Sequence, residues 1–319
     1  MEGEWKKIIK VWVSVFASLS YCYLIARRIP KGKFRLLSLI PIFYLFLLLP
    51  LTLINFHFRG FVAFFLAWLA NFKLLLFAFG QGPLSVDPSM PLLHFIFVTF
   101  FPIKIKHQSP LPTKKAFKFP LLYSIKVILF AVSILLYDYR LYIHPHIQAL
   151  LCCGHIYFGV EITFAVLAYM TKLVLGLEFE PTFKEPYLST SLQDFWSRRW
   201  NLMVPKILHP TVYEPTRRIA AHLLGNKSEP VHRLVALLNT FLVSGLMHEL
   251  LFFYIRYSHP TWKTRLYFAL QGVCLAAEVA VKKLLAGRWQ LHPVVSWILV
   301  NEFLFVTIYW LLLSDVLSV

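Results

Sequence analysis

Two short stretches hold residues whose types and spacing could do chemistry. The first is SGLMHEL at 244–250, which sets a histidine and a glutamate side by side in the middle of an apolar run from about 234 to 254. A run of that length can cross a bilayer, where ionisable residues are costly and usually face a bundle interior or a watery cavity. His248 is therefore a candidate functional residue, because an imidazole near its ordinary range can accept and return a proton at neutral pH. The competing reading is a packed helix whose imidazole donates to a backbone carbonyl, which satisfies the ring without any chemistry. Glu249 is a weak candidate to orient that imidazole, since adjacent residues on a helix point about 100° apart.

The second stretch is SLQDFWSRRWN at 191–201, inside the longest polar connection, 176–230. It places Trp196, Trp200 and a phenylalanine beside Arg198 and Arg199, with Gln193, Asp194 and a closing Asn201. The aromatics favour burial and the charges favour water or partners, and a helix half-buried at a membrane surface satisfies both. On such a helix Trp196 and Trp200 are four apart and share a face, while the arginines turn elsewhere. A simple interfacial anchor, for which Trp and Arg are the usual residues, is the alternative.

The elements that must hold these stretches are membrane spans. The 319 residues are 58% hydrophobic and 15% charged with a mean hydropathy of +0.65, too apolar for a soluble chain. Apolar runs at about 8–25, 36–54, 61–79, 119–137, 147–175, 234–254, 266–285 and 294–313 predict about eight transmembrane helices. Pro41 and Pro50 predict a kinked or broken second span, and the short run 91–103 predicts an interfacial or re-entrant helix. Glu161 lies in the fifth span, where a hydrogen bond between helices and a site role are both open. The fold expected is an all-α, polytopic membrane protein, with interfacial or re-entrant helices around a buried tunnel, formed as one membrane-embedded domain over 1–319. The tunnel follows from depth: His248 lies about 14 residues, roughly 21 Å, along its helix from the cytosolic edge. The four cysteines lie in or beside apolar runs and indicate no disulfide framework.

A formal charge of +17 would point to nucleic acid in a soluble protein, but here the basic residues sit mostly in short connections between apolar runs and read as topology. With the loop 26–35 on the cytosolic side, that side collects 20 of the 32 lysines and arginines, including those of 176–230. Both termini are then lumenal.

DFWSRRWN, followed 47 residues after Asn201 by His248 in SGLMHEL, resembles the membrane-bound O-acyltransferase family, whose members carry an asparagine in an aromatic-rich cytosolic motif and a histidine in a following apolar helix. The likeness is closest to its plant wax synthase-like branch. LANFKLLLFAFGQGPLS at 69–85, EPYLSTSLQDFWSRRWNLMV at 185–204 and VSGLMHELLFFY at 243–254 look like that branch's segments, as do VWVSVFASLSYCY at 11–23 and VKKLLAGRW at 281–289. Members often continue with a polar tail after the last span, whereas this chain stops at Val319.

The resemblance implies acyl transfer from acyl-CoA to a lipophilic alcohol in the endoplasmic reticulum membrane. His248 is then the base for the hydroxyl proton, and Asn201 either holds the acyl carbonyl or orients the acceptor. Arg198, Arg199 and Lys206 lie where the phosphates of coenzyme A would arrive. Gln193, Asp194, Trp196 and Trp200 complete the substrate-side expectation, the tryptophans by lining an entrance or by packing. A fatty alcohol giving wax esters is the favoured acceptor; a sterol, or diacylglycerol with an acetyl donor, is equally admitted by the motifs. The partners expected are acyl-CoA, the alcohol and the bilayer, with no nucleic acid. No metal or bound cofactor is implied: HHxxxD, G-x-S-x-G and H-E-x-x-H motifs are absent, as are spaced histidine boxes. A transporter or channel is the non-enzyme alternative, opposed by the few polar intramembrane residues and the lack of repeat symmetry.

Overall fold

The structure is a computed structural model that describes residues 2–104, 121–137, 139, 142–176, 178–179, 182–225, 229–257, 261–285 and 291–313. Its α-helices are α1 (Glu2–Leu24), α2 (Lys33–Leu48), α3 (Phe56–Ala63), α4 (Asn71–Ala78), α5 (Leu92–Phe100), α6 (Leu121–Tyr137), α7 (Pro145–Leu175), α8 (Leu192–Asp194), α9 (Met203–Leu208), α10 (Glu214–Leu224), α11 (Glu229–Arg256), α12 (Lys263–Leu285) and α13 (Pro293–Ile308). A π-helical segment, Phe64–Ala70, joins α3 and α4 into one rod, and further π turns cover Phe195–Arg199, His209–Tyr213 and Tyr309–Leu313. Helix dominates because apolar segments in lipid must satisfy every backbone group internally. All eight expected runs are helical over most of their described residues. Six of these helices are long and apolar enough to cross a membrane. Of the other two, α6 is short, and α12 carries Lys263, Arg265, Glu278, Lys282 and Lys283. The protein is an all-α, multi-pass membrane protein. Residues 119–120, 286–289 and the counted basic residues Lys106, Lys114, Lys115, Lys118, Arg140, Lys227 and Arg288 lie outside the described residues.

Pro41 sits inside α2 without ending it. The helix tightens into a 3₁₀ turn, Leu49–Thr52, at Pro50. The short run 91–103 yields only the nine residues of α5 as helix. The connection 176–230 holds more helix than a polar loop would: α8 to α10 and their π turns fill most of 192–224.

The chain divides into two compact units, one of residues 1–103 and 203–289, the other of 104–202 and 290–319. In the first, buried cations close helix ends. Arg59 donates to the carbonyls of Tyr254 and Ile255 at the end of α11, and to those of Leu53 and Ile54, with Tyr257 beneath its guanidinium. Lys73 donates from the α3–α4 rod to the carbonyls of Val98 and Phe101 at the end of α5, at 2.6 and 2.7 Å. Arg35 does the same for the carbonyls of Arg27, Ile29 and Phe77. Charge counting places Arg35 and Arg59 in aqueous connections, and the structure corrects this: both are buried. Carbonyls left over at helix ends give a buried cation its partners and suit its sign.

Helices α11 and α12 pack through a reciprocal pair of small residues. A Cβ on Gly245 would stand 3.1 Å from Cβ of Phe268, and one on Gly272 would stand 3.1 Å from Cβ of Phe241. Small residues at such crossings let two backbones approach closely.

In the second unit, Lys126 of α6 meets Glu161 of α7 at 2.6 Å, both buried. The bond between helices is therefore what Glu161 makes. Trp297 of α13 donates from Nε1 to the Tyr187 carbonyl at 2.7 Å, and His292 caps α13 by accepting from the Val294 amide.

Candidate active site

His248 lies on α11 eight residues before its last residue, Arg256, and is half-buried. Its Nδ1 is 2.8 Å from the carbonyl oxygen of Ser244, one turn earlier. A carbonyl only accepts, so Nδ1 carries the hydrogen and the lone pair resides on Nε2. The backbone bond expected of a merely packed histidine is present, and it fixes the tautomer that a base requires. The imidazole also lies against the Phe268 ring, with centroids 4.4 Å apart, and it is Gly245 that allows Phe268 to come so close.

Glu249 does not orient this ring. Its buried carboxylate pairs with Arg265 of α12 and accepts the Trp262 amide at 3.2 Å. Arg265 in turn lies over the Trp262 ring at 3.9 Å. The glutamate beside the histidine thus fastens α11 to α12, while Arg59 fastens the end of α11 to the start of α3. Neither Phe268 nor Arg265 stands out in the sequence as part of the His248 surroundings. The one available signal was the small Ser-Gly pair a turn ahead of the histidine.

The Asn201 stretch is built differently from the expected helix. The Ser191 hydroxyl caps α8 by accepting the Asp194 amide at 3.0 Å, as N-cap serines do. The turn then widens over Phe195–Arg199, and Trp200 is already extended, with its amide donating to the Phe195 carbonyl at 2.9 Å. Trp196 and Trp200 therefore do not share a helical face. The wider turn brings residues five apart into register, and Phe195 and Trp200 stack with centroids 5.4 Å apart and planes 15° from parallel. Trp200 packs further against Phe183 and Tyr157, while Trp196 meets Phe195 edge-on.

Asn201 itself has φ +39°, a left-handed conformation that non-glycine residues adopt rarely and asparagine more readily than most. Backbone bonds on both sides impose it: Trp200 to Phe195, and the Leu202 amide to the Thr182 carbonyl at 2.8 Å. The side-chain Oδ1 is buried with no hydrogen-bond partner among the described residues. A buried, unpaired amide oxygen is costly in a finished core and is what a site awaiting a polar ligand would present.

The two arginines differ. Arg199 is engaged by Asp194 at 2.6 Å and by the carbonyls of Lys184 and Glu185, so it holds the turn together. Arg198 is exposed, as are Gln193 and Lys206. Residues 193–201 are thus one compact turn of the second unit, and His248 belongs to the first. Of the other histidines, His222 is exposed, His209 stacks on Tyr213, and His232 is fully buried at the start of α11.

A model of the family described as membrane bound O-acyl transferase matches residues 179–270, the span that contains both Asn201 and His248. Over 313 residues the chain is 45% identical to an Arabidopsis thaliana protein named probable long-chain-alcohol O-fatty-acyltransferase 3, covering 97% of this chain and 90% of the relative. It is 43% identical over 326 residues to a long-chain-alcohol O-fatty-acyltransferase of Simmondsia chinensis, covering 99% and 91%. It is 44% identical over 315 residues to acyl-CoA–sterol O-acyltransferase 1 of Arabidopsis thaliana, covering 96% and 89%.

Proposed function

This chain belongs to the membrane-bound O-acyltransferase family, in its wax synthase-like branch, and from that membership we infer that it is an enzyme transferring an acyl group from acyl-CoA to a lipophilic alcohol. A long-chain fatty alcohol is the acceptor and a wax ester the product. The observation that carries this reading is the near full-length likeness to proteins named for that reaction. A sterol acceptor is the second reading, favoured by the likeness to a sterol acyltransferase of almost the same identity.

In the reaction, Nε2 of His248 takes the hydroxyl proton as the alcohol oxygen attacks the thioester carbon. The tetrahedral intermediate collapses with cleavage of the carbon–sulfur bond, and the imidazolium returns the proton to the departing sulfur, giving ester and free coenzyme A. Asn201 offers both halves of its amide: Nδ2 can donate to the oxyanion and Oδ1 can accept from the incoming hydroxyl. Arg198, with Lys206 nearby in sequence, meets the phosphates of the donor from the cytosol. The enzyme resides in the endoplasmic reticulum membrane with both termini lumenal, and the donor reaches His248 through a buried tunnel. The alcohol enters from within the bilayer.

The test is purified protein in lipid, given labelled acyl-CoAs of several lengths with fatty alcohols, sterols and diacylglycerol, and product separation by chromatography. Wax ester should dominate. Sterol ester as the dominant product would move the assignment to the second reading, and no ester with any acceptor would refute both.

A further inference from the structure

We propose that the buried Lys126–Glu161 pair is a positioning element for Asn201, acting through the rings of Tyr157 and Trp200; this rests on the assignment of Asn201 to the reaction. The two side chains are only 5% and 8% exposed and meet at 2.6 Å. Such a pair is poor stabilisation, since apolar residues of similar volume often hold a core as well or better. The Tyr157 hydroxyl, one turn earlier on α7, engages the same Glu161 carboxylate, so the pair is tied to that ring as well as to the neighbouring helix. Helix pairing alone does not call for a buried charge pair that also engages a tyrosine.

The pair sits instead at the end of an aromatic column that leads to Asn201. The Lys126 ammonium is 5.3 Å from the Tyr123 ring and 5.9 Å from the Tyr157 ring, within the range of a cation–π attraction. Tyr187 feels the same cation: burial pushes its phenol above the ordinary range against the opposing pull of Lys126. Tyr157 then meets Phe183 edge-on at 5.6 Å, Tyr187 at 6.1 Å and Trp200 at 6.3 Å. Trp200 also stacks on Phe195 and is covalently next to Asn201. A left-handed asparagine persists only where its surroundings over-determine it, and Trp200, held by its backbone amide and by its ring, is one of those surroundings. Lys126 draws the Tyr157 ring into place, Glu161 fixes Lys126, and Tyr157 sets the Trp200 ring, whose backbone leads directly into Asn201. Every link of this column lies within the second unit.

The decisive protein is the double variant Lys126→Met with Glu161→Leu, which leaves no stranded charge, assayed as full-length enzyme in lipid. It should accumulate in the membrane like the parent and lose roughly 10- to 100-fold in kcat, the cost of a small misplacement of a reacting group, with the KM for acyl-CoA unchanged. Lys126→Arg keeps the cation and should recover most of that loss. In an Asn201→Ala background the double variant should cost nothing further, because the two act as one unit. Parental kcat in the double variant, alongside an inactive Asn201→Ala, overturns this inference alone. Full activity in Asn201→Ala by itself removes the assignment on which it rests, and the inference with it. Should the double variant fail to accumulate, Tyr157→Leu and Tyr157→Phe decide without touching a charge. The leucine should lose kcat and the phenylalanine, which keeps the ring, should lose far less; equal kcat in the two overturns the proposal.

Discussion

Gly245 is a point of close approach between α12 and the helix of His248: a Cβ there would stand 3.1 Å from Cβ of Phe268 and 3.3 Å from Cα of Arg265. Neither neighbour is the loose end of a flexible side chain, so the helices themselves would have to part. Gly245→Ala should therefore destabilise the protein by about 1–3 kcal/mol, the usual cost of overpacking. It should also lower kcat, because Phe268 carries the imidazole with it. A thermal midpoint and turnover equal to the parent's would show that this contact matters little.

His248→Ala should leave the protein in the membrane at normal abundance and reduce ester formation by about 10²–10⁴-fold, the range supplied by a positioned base. Radiolabelled product per unit of quantified protein is the measurement. Turnover close to that of the parent would remove His248 from the mechanism.

At Asn201 the two halves of the amide can be told apart. Asn201→Ala removes both and should cost roughly 10²–10³ in kcat if a donor to the oxyanion is lost. Asn201→Asp tolerates the left-handed backbone and keeps an accepting oxygen while losing the donor. A variant as slow as alanine assigns the role to Nδ2, whereas substantial recovery assigns it to Oδ1. A rise in the KM for acyl-CoA alone, with kcat intact, would make Asn201 a binding residue.

The neighbouring arginines should fail in different ways. Arg198→Ala removes an exposed cation and should raise the KM for acyl-CoA several-fold with little change in abundance. Arg199→Ala leaves Asp194 and the carbonyls of Lys184 and Glu185 without their donor, so it should lower abundance and kcat. Equal effects of the two on KM would contradict a separation between an exposed cation and one tied into the turn. Protease or labelling data that place 176–230 in the lumen would contradict the cytosolic approach of the donor.

The helices were legible in the sequence because lipid leaves an apolar run of twenty residues little choice of conformation, and His248 drew notice as a candidate because it is out of place in one. Trp196 and Trp200 misled for the opposite reason. Their spacing fits an α-helical face, but the π turn from Phe195 to Arg199 follows from backbone bonding that residue types do not display. Arg35 and Arg59 look like solvated loop charges until the helix ends they cap are brought beside them from elsewhere in the chain. The region 192–224 reads as a polar connection because Pro205, Pro210 and Pro215 break its periodicity, although each of these prolines lies within a helical or π-helical turn. Glu249 could be discounted as the orienter of His248 from helix geometry, but its actual partner, sixteen residues on, could not be read.

The bond from the Leu202 amide to the Thr182 carbonyl has a consequence for chemical ageing. An asparagine is lost by deamidation when the nitrogen of the following residue attacks its side-chain carbonyl and closes a five-membered succinimide. In this turn that nitrogen is already committed to Thr182 at 2.8 Å, and the left-handed backbone of Asn201 is held from both sides. The bond therefore withholds that nitrogen from the attack, so deamidation at Asn201 should be slow for as long as the turn stays folded.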